Sequence, residues 1–262
     1  MACTVGDIAL WMQSWAPEVS AEPRDSVGLH AGRRTDPVDT ALIALDVTAD
    51  ALEHARRIGA QILVTHHPLL YRSLAAITDD SPVGALALDA IRCGVALYAA
   101  HTNLDRALGG VNDALCAALG FVGQPAGEGS IERLVDMPSP MTLGALADHA
   151  RAALQAPALR VSGGAGRMVK RIYVVGGSGR DYVTSAVLAG CDALLTGELD
   201  YHTALTAGQM GLATMEAGHD FSERPVLWEI KRYLQKQAER LQYSMRTEVF
   251  VPASCPFWYV TP

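Results

Sequence analysis

Residues 41–68 read "ALIALDVTADALEHARRIGAQILVTHHP", and their pattern decides the fold. "ALIALDV" (41–47) is a short, almost wholly apolar run rich in branched residues, the signature of a strand buried on both faces. "ADALEHARRIG" (49–59) has helical spacing and ends on a glycine, the usual stop for a helix. "QILVT" (61–65) is again a buried strand, and it ends at His66, His67 and Pro68. Two strands joined by one helix form a parallel crossover unit.

Downstream the rhythm continues with a helix near 83–93, a strand "VALYAA" (95–100) and a helix "GVNDALCAALG" (110–120). Gly-rich and Pro-rich segments at 120–130 and 162–167 read as loops. "RLVDM" and a helix beginning near Thr142 lie between them, and a second core opens at "KRIYVV" (170–175). That second core repeats the first. With a shift of 131 places and no gap, "DVTADALEHARRIGAQILVT" (46–65) meets "GSGRDYVTSAVLAGCDALLT" (177–196), so that Gly59 falls on Gly190 and Thr65 on Thr196. After a length change, "YAAHTNLD" (98–105) matches "MEAGHDFSE" (215–223), each with a His followed four places later by a carboxylate. The expected fold is α/β: two similar lobes from an internal duplication, with mainly parallel sheets and helices on their faces. The lobes are expected at 1–125 and 126–262, with 213–262 returning to the cleft between them.

The bulk properties narrow the chemistry. Half of the 262 residues are hydrophobic, enough for a sizeable core. The net charge is −7 and no basic run occurs, which argues against a nucleic-acid partner. The five cysteines are scattered, with no CxxC pair, so neither a disulfide framework nor a thiolate zinc site is expected. No stretch of ~20 uncharged apolar residues exists, so no membrane span is expected. The N-terminus has no basic leader pattern. A cytoplasmic protein is the expectation.

Ligands of parallel sheets collect beyond the carboxyl ends of the strands, and that is where the histidines stand. His66, His67, Asp105, His219 and Glu223 combine imidazole and carboxylate, a donor set suited to zinc, iron, manganese or nickel. Adjacent side chains on an extended strand face opposite ways. His66 and His67 are therefore expected to diverge, unless the backbone bends, and to serve different ions of a dinuclear centre.

"HHP", "AAHTNLD" with "GGVNDALC", "GGSG", "TGELDYH" and "AGHDFSE" together resemble the successive motifs of the Nif-three-like (YbgI-type) dinuclear-metal family. Its members often bear the name of type-2 GTP cyclohydrolase I homologues. The likeness runs from about residue 7 to the C-terminus. It implies two divalent ions per subunit (zinc, iron or manganese), held by His66, His67, Asp105, His219 and Glu223. Within it, His67 and Asp105 would hold one ion, His66 and His219 the other, and Glu223 would bridge. His101 and Glu198 would act in proton transfer or support the ligands, with His202 a weaker candidate. No organic cofactor is expected. The resemblance further implies a toroidal homohexamer, a trimer of dimers, of the compact form without an inserted domain.

The family's "WDNVGL" stretch reads "RDSVGL" (24–29) here, a departure expected to bear on a lobe contact or substrate wall and not on the ligands. The implied function is metal-dependent hydrolysis of a phosphorylated or purine-nucleotide-like small molecule; the alternative is a non-catalytic metal-binding scaffold or trafficking protein. "GGSG" (176–179) would either offer backbone N–H groups to an anion or simply permit a tight turn. His30, His54 and His149 are expected on solvated surfaces.

Overall fold

The computed structural model describes residues 2–253 and 256–257. The elements follow the order β1 (Cys3–Thr4), α1 (Val5–Trp15), β2 (Gly28–Ala31), β3 (Pro37–Val38), β4 (Thr40–Ala44), α2 (Ala49–Ile58), β5 (Ile62–Thr65), α3 (Pro82–Arg92), β6 (Ala96–Ala99) and α4 (Thr102–Arg106). Then come α5 (Val111–Ala118), β7 (Gln124–Pro125), β8 (Arg133–Thr142), α6 (Leu143–Ala153), β9 (Arg160–Ser162), β10 (Met168–Ser178) and α7 (Val183–Leu188). The chain finishes with β11 (Ala193–Glu198), α8 (Tyr201–Gln209), β12 (Ala213–Glu216), α9 (His219–Glu223), α10 (Pro225–Arg240) and β13 (Arg246–Val249).

Two units result. One takes the chain up to Leu104 together with the stretch from Leu227 that carries β13; the other is built on Asp105–Val226. The boundary thus falls within α4, where the sequence reading set it at 125/126. The C-terminal stretch belongs to the first unit because β13 pairs in parallel with β4, Arg246 opposite Thr40 through Val249 opposite Ile43.

The first unit's sheet has the order β13-β4-β5-β6-β2. Its strands β4, β5 and β6 are parallel and buried throughout, and β2 closes the edge antiparallel to β6. Thr48 caps α2 by accepting from Ala51 N, and Gly59 ends it at φ 65°. α2 lays Ala51, Leu52 and Ala55 against Leu42, Ala44, Leu63 and Leu97 of the sheet.

The second unit's sheet has the order β7-β8-β10-β11-β12-β9. Alternate residues of β10 feed two cores. Ile172 and Val174 join Leu143, Leu146 and Ala150 of α6, while Tyr173 and Val175 join Val183 and Ala186 of α7. Burial on both faces is why these strands read as continuous apolar runs.

Strand register establishes the duplication. Ala41 to Ala44 pair with Ile62 to Thr65, and Ile172 to Val175 pair with Ala193 to Thr196, the same register at the same shift of 131. Each unit then adds a third parallel strand (β6, β12) and an antiparallel edge strand that precedes the others in sequence (β2, β9). A pair of glycines missed by the sequence reading marks the same symmetry. Gly32 (φ +105°) abuts Ala96, the first residue of β6, and a Cβ there would lie 2.5 Å from the alanine's. Gly163 (φ +129°) abuts Ala213, the first residue of β12, at 3.1 Å. Both sheets are mixed, because β2 and β9, and also β8 in the second, run antiparallel to their neighbours.

Candidate metal centre

β5 stops at Thr65, so His66 and His67 stand in a bend and not on a pleated strand. Their rings do not diverge as an extended strand would require: the centroids are 4.9 Å apart. His101 follows β6, the neighbouring strand, and its ring lies 5.2 Å from that of His66 and 5.7 Å from that of His67. One ligand atom from each of the three lies within 4.8 Å of the other two.

Each ring is held by one nitrogen. His66 Nδ1 donates to the Ala100 carbonyl at 2.8 Å, His67 Nδ1 to Asp46 Oδ1 at 2.8 Å, and His101 Nδ1 to Asp25 Oδ1 at 2.9 Å. A carbonyl or carboxylate oxygen only accepts, so the proton sits on Nδ1 and the neutral ring keeps its lone pair on Nε2. Anchoring of this kind fixes the tautomer and orientation of metal-ligating histidines.

Asp25 is the most elaborate anchor. It accepts from His101, from the Thr102 amide at 3.1 Å and, in a short bond, from the Thr102 hydroxyl. Burial pushes its pKa upward, but the hydrogen bonds from His101 and Thr102 outweigh burial. Together they hold the carboxyl well below the usual range. Asp25, a residue that the "RDSVGL" stretch retains, thus anchors His101.

The second unit carries a matching pair. His219 opens α9 and Glu223 closes it, so the two face each other one turn apart, with Nε2 to Oε2 3.4 Å. Glu198, at the end of β11, accepts from His219 Nδ1 at 3.1 Å. The backbone beneath is built for close approach. Gly177 adopts φ +62°, and a Cβ there would lie 2.3 Å from Glu223 Oε1. A Cβ on Gly197 would lie 2.5 Å from the Gly177 carbonyl and 2.7 Å from Ser222 Oγ.

Three of the four "GGSG" amides donate within the protein. Gly176 N–H donates to Asn112 Oδ1, Gly177 N–H to Ser222 Oγ and Gly179 N–H to the Glu198 carbonyl. Gly176, Gly177 and Ser178 form the end of β10, where its register against β11 shifts between Val175 and Ser178 and Gly177 takes a positive φ. Asp105 lies on α4, and its backbone carbonyl accepts from Asn112 Nδ2.

Of the histidines expected on solvated surfaces, His149 is exposed, while His30 and His54 are partly buried. His30 lies 3.2 Å from Ser26 Oγ, and burial lowers its pKa. His54 stands between Glu248 and Arg57, and His149 Nε2 bonds the Leu119 carbonyl. His202 is exposed on α8 against the Tyr201 ring. The sequence reading missed Asp25 and Asp46. Only the position of Asp46 just past a buried strand hinted at a role.

The three anchored imidazoles of the first unit, and the anchored imidazole beside a buried carboxylate in the second, are each donors that suit divalent ions of borderline softness. Fold and site thus define a duplicated α/β protein with a candidate metal centre of histidine and glutamate. The chain belongs to the Duf34/NIF3 (NGG1p interacting factor 3) family, which it matches over residues 3–255. It is 34% identical to a Clostridium perfringens "GTP cyclohydrolase 1 type 2 homolog", over 98% of this chain and 99% of that one. It is 32% identical to the protein of that name from Clostridium acetobutylicum, over 86% and 87%. Among solved structures, a Bacillus cereus protein related to NIF3 has the same fold, with a TM-score of 0.92 and 24% identity over 99% of each chain.

Proposed function

We propose that the protein is a metal-dependent hydrolase of a phosphorylated or purine-nucleotide-like small molecule. It would hold two divalent ions per subunit through His66, His67, Asp105, His219 and Glu223. The observation that carries this reading is the common anchoring of His66, His67, His101 and His219 through Nδ1, which directs Nε2 as a ligand nitrogen. Bound divalent ions supply Lewis acidity and lower the pKa of water toward neutrality.

The chain's own residues do the rest. Asp25 and Asp46 keep the Nδ1 protons in place and fix the orientation of the His101 and His67 rings. Glu198 is more than half exposed beside His219, which suits a group that exchanges protons with solvent and substrate. A homohexamer, a trimer of dimers in the cytoplasm, is part of the same proposal. Among the described residues no helix is long and apolar enough to cross a membrane.

The test is a phosphoester and nucleotide turnover screen on protein loaded with the metal it carries as purified. His67→Ala and Glu223→Ala are expected to abolish turnover. Activity that survives both substitutions contradicts the proposal. A fully loaded protein with no turnover leaves the non-catalytic scaffold instead.

A further inference from the structure

The two copies of the duplicated unit differ in the length of one crossover. In the second unit, residues 197–200 suffice to carry the chain from the Thr196 position of β11 to α8. In the first, residues 66–81 lie between Thr65, its counterpart in β5, and α3. The extra length leaves directly from the His66–His67 bend. It returns through Ser81, which caps α3 by accepting from Gly84 N. A tight turn would have joined these elements, as the sister copy shows. Loops longer than the connection requires commonly serve as binding loops or lids.

The loop brings an aromatic ring to the histidine set. Tyr71 stands perpendicular to His101, with centroids 6.3 Å apart, yet remains 57% exposed. A single exposed aromatic residue is ordinary on a protein surface. An exposed ring held edge-to-face against an anchored imidazole, on a segment that the sister copy lacks, is a more specific arrangement. Arg72 follows it, also exposed. A tyrosine and an arginine in sequence offer a stacking face and a planar cation.

We propose that residues 69–80 form a substrate-recognition loop in which Tyr71 stacks on a planar heteroaromatic ring and Arg72 takes an adjacent phosphate. The ligand class is a nucleoside monophosphate. This rests on the reading of the histidine set as the reacting centre, and it assigns recognition to residues outside the ligand motifs.

The test is calorimetric titration of the full-length protein, as purified, with three probes: guanosine 5′-monophosphate, guanosine and ribose 5-phosphate. Tyr71→Ala is expected to weaken the two base-bearing probes by about 5- to 100-fold, the range for loss of one aromatic–base stack. It should leave ribose 5-phosphate unchanged, and Tyr71→Phe should restore base binding. Arg72→Ala is expected to weaken the two phosphate-bearing probes by about 10-fold or more and spare guanosine. The proposal is overturned if no probe binds the wild type. It is equally overturned if Tyr71→Ala binds all three normally, or weakens all three alike, or alters only the assembly state seen in sedimentation. If this binding pattern holds while the turnover screen is negative, the hydrolase reading fails and the loop assignment stands. Turnover indifferent to Tyr71→Ala removes the loop assignment alone.

Discussion

Gly177→Ala isolates the backbone's part in the candidate centre. Gly177 sits at φ +62°, where an L-residue costs about 1–2 kcal/mol. The added methyl would also lie 2.3 Å from Glu223 Oε1 and 3.3 Å from His219 Nε2, whereas ordinary contact begins near 3.4 Å. The carboxylate must retreat by about 1 Å, a displacement able to cost of order 100-fold where geometry is demanding. Gly190→Ala is the matched control. It has φ +69° and open space around its Cβ, so it carries the backbone cost without the collision. Both variants are expected to melt about 2–8 °C below wild type. Only Gly177→Ala should lose metal affinity, by about 10–100-fold in competition with a chromophoric chelator. The reasoning is refuted if Gly177→Ala binds metal like wild type, or if Gly190→Ala loses affinity equally.

Three further outcomes follow from other parts of the chain. Arg133 is wholly buried and pairs with Asp113 through two nitrogens, at 2.6 and 3.1 Å. Asp113→Ala leaves that charge uncompensated and should destabilise the protein by about 3 kcal/mol or more in a denaturant melt; a near-neutral result contradicts the pairing. Burial pushes the thiols of Cys3 and Cys116 up to about 12 and that of Cys191 to about 11, while Cys93 is exposed. In a Cys255→Ser background one thiol should therefore react promptly with an aromatic disulfide reagent and three only on unfolding; two or more fast thiols would refute this. Burial also lowers the His30 pKa from 6.5, so the unfolded chain binds more protons and stability falls as pH drops from 6.5 toward the folded value. His30→Gln should flatten that part of the melting-temperature profile in chelator-treated protein, and an unchanged slope would rule the linkage out.

Strands β4 and β5 and the intervening helix were legible because burial on both faces leaves a continuous apolar run, although the strand read as far as Val47 ends at Ala44. The shift of 131 was legible for the same reason, and the strand registers repeat it. What was illegible depended on distance in sequence. Asp25 anchors a histidine 76 residues away, and β13 joins β4 across most of the chain. Neither leaves a local pattern. The divergence expected of His66 and His67 assumed that the strand continued through them, but it ends at Thr65. The glycine loop was ambiguous because the side-chain acceptors of Asn112 and Ser222 come from distant segments.

The account turns on which imidazole nitrogen meets the metal. Crystals of zinc-loaded protein, measured at the zinc edge, would locate each ion by its anomalous signal. Anomalous peaks are expected about 2.0–2.1 Å from Nε2 of His66, His67 and His219, with the Nδ1 bonds to Ala100, Asp46 and Glu198 intact. Ions bonded through Nδ1, or peaks remote from these rings, would contradict it.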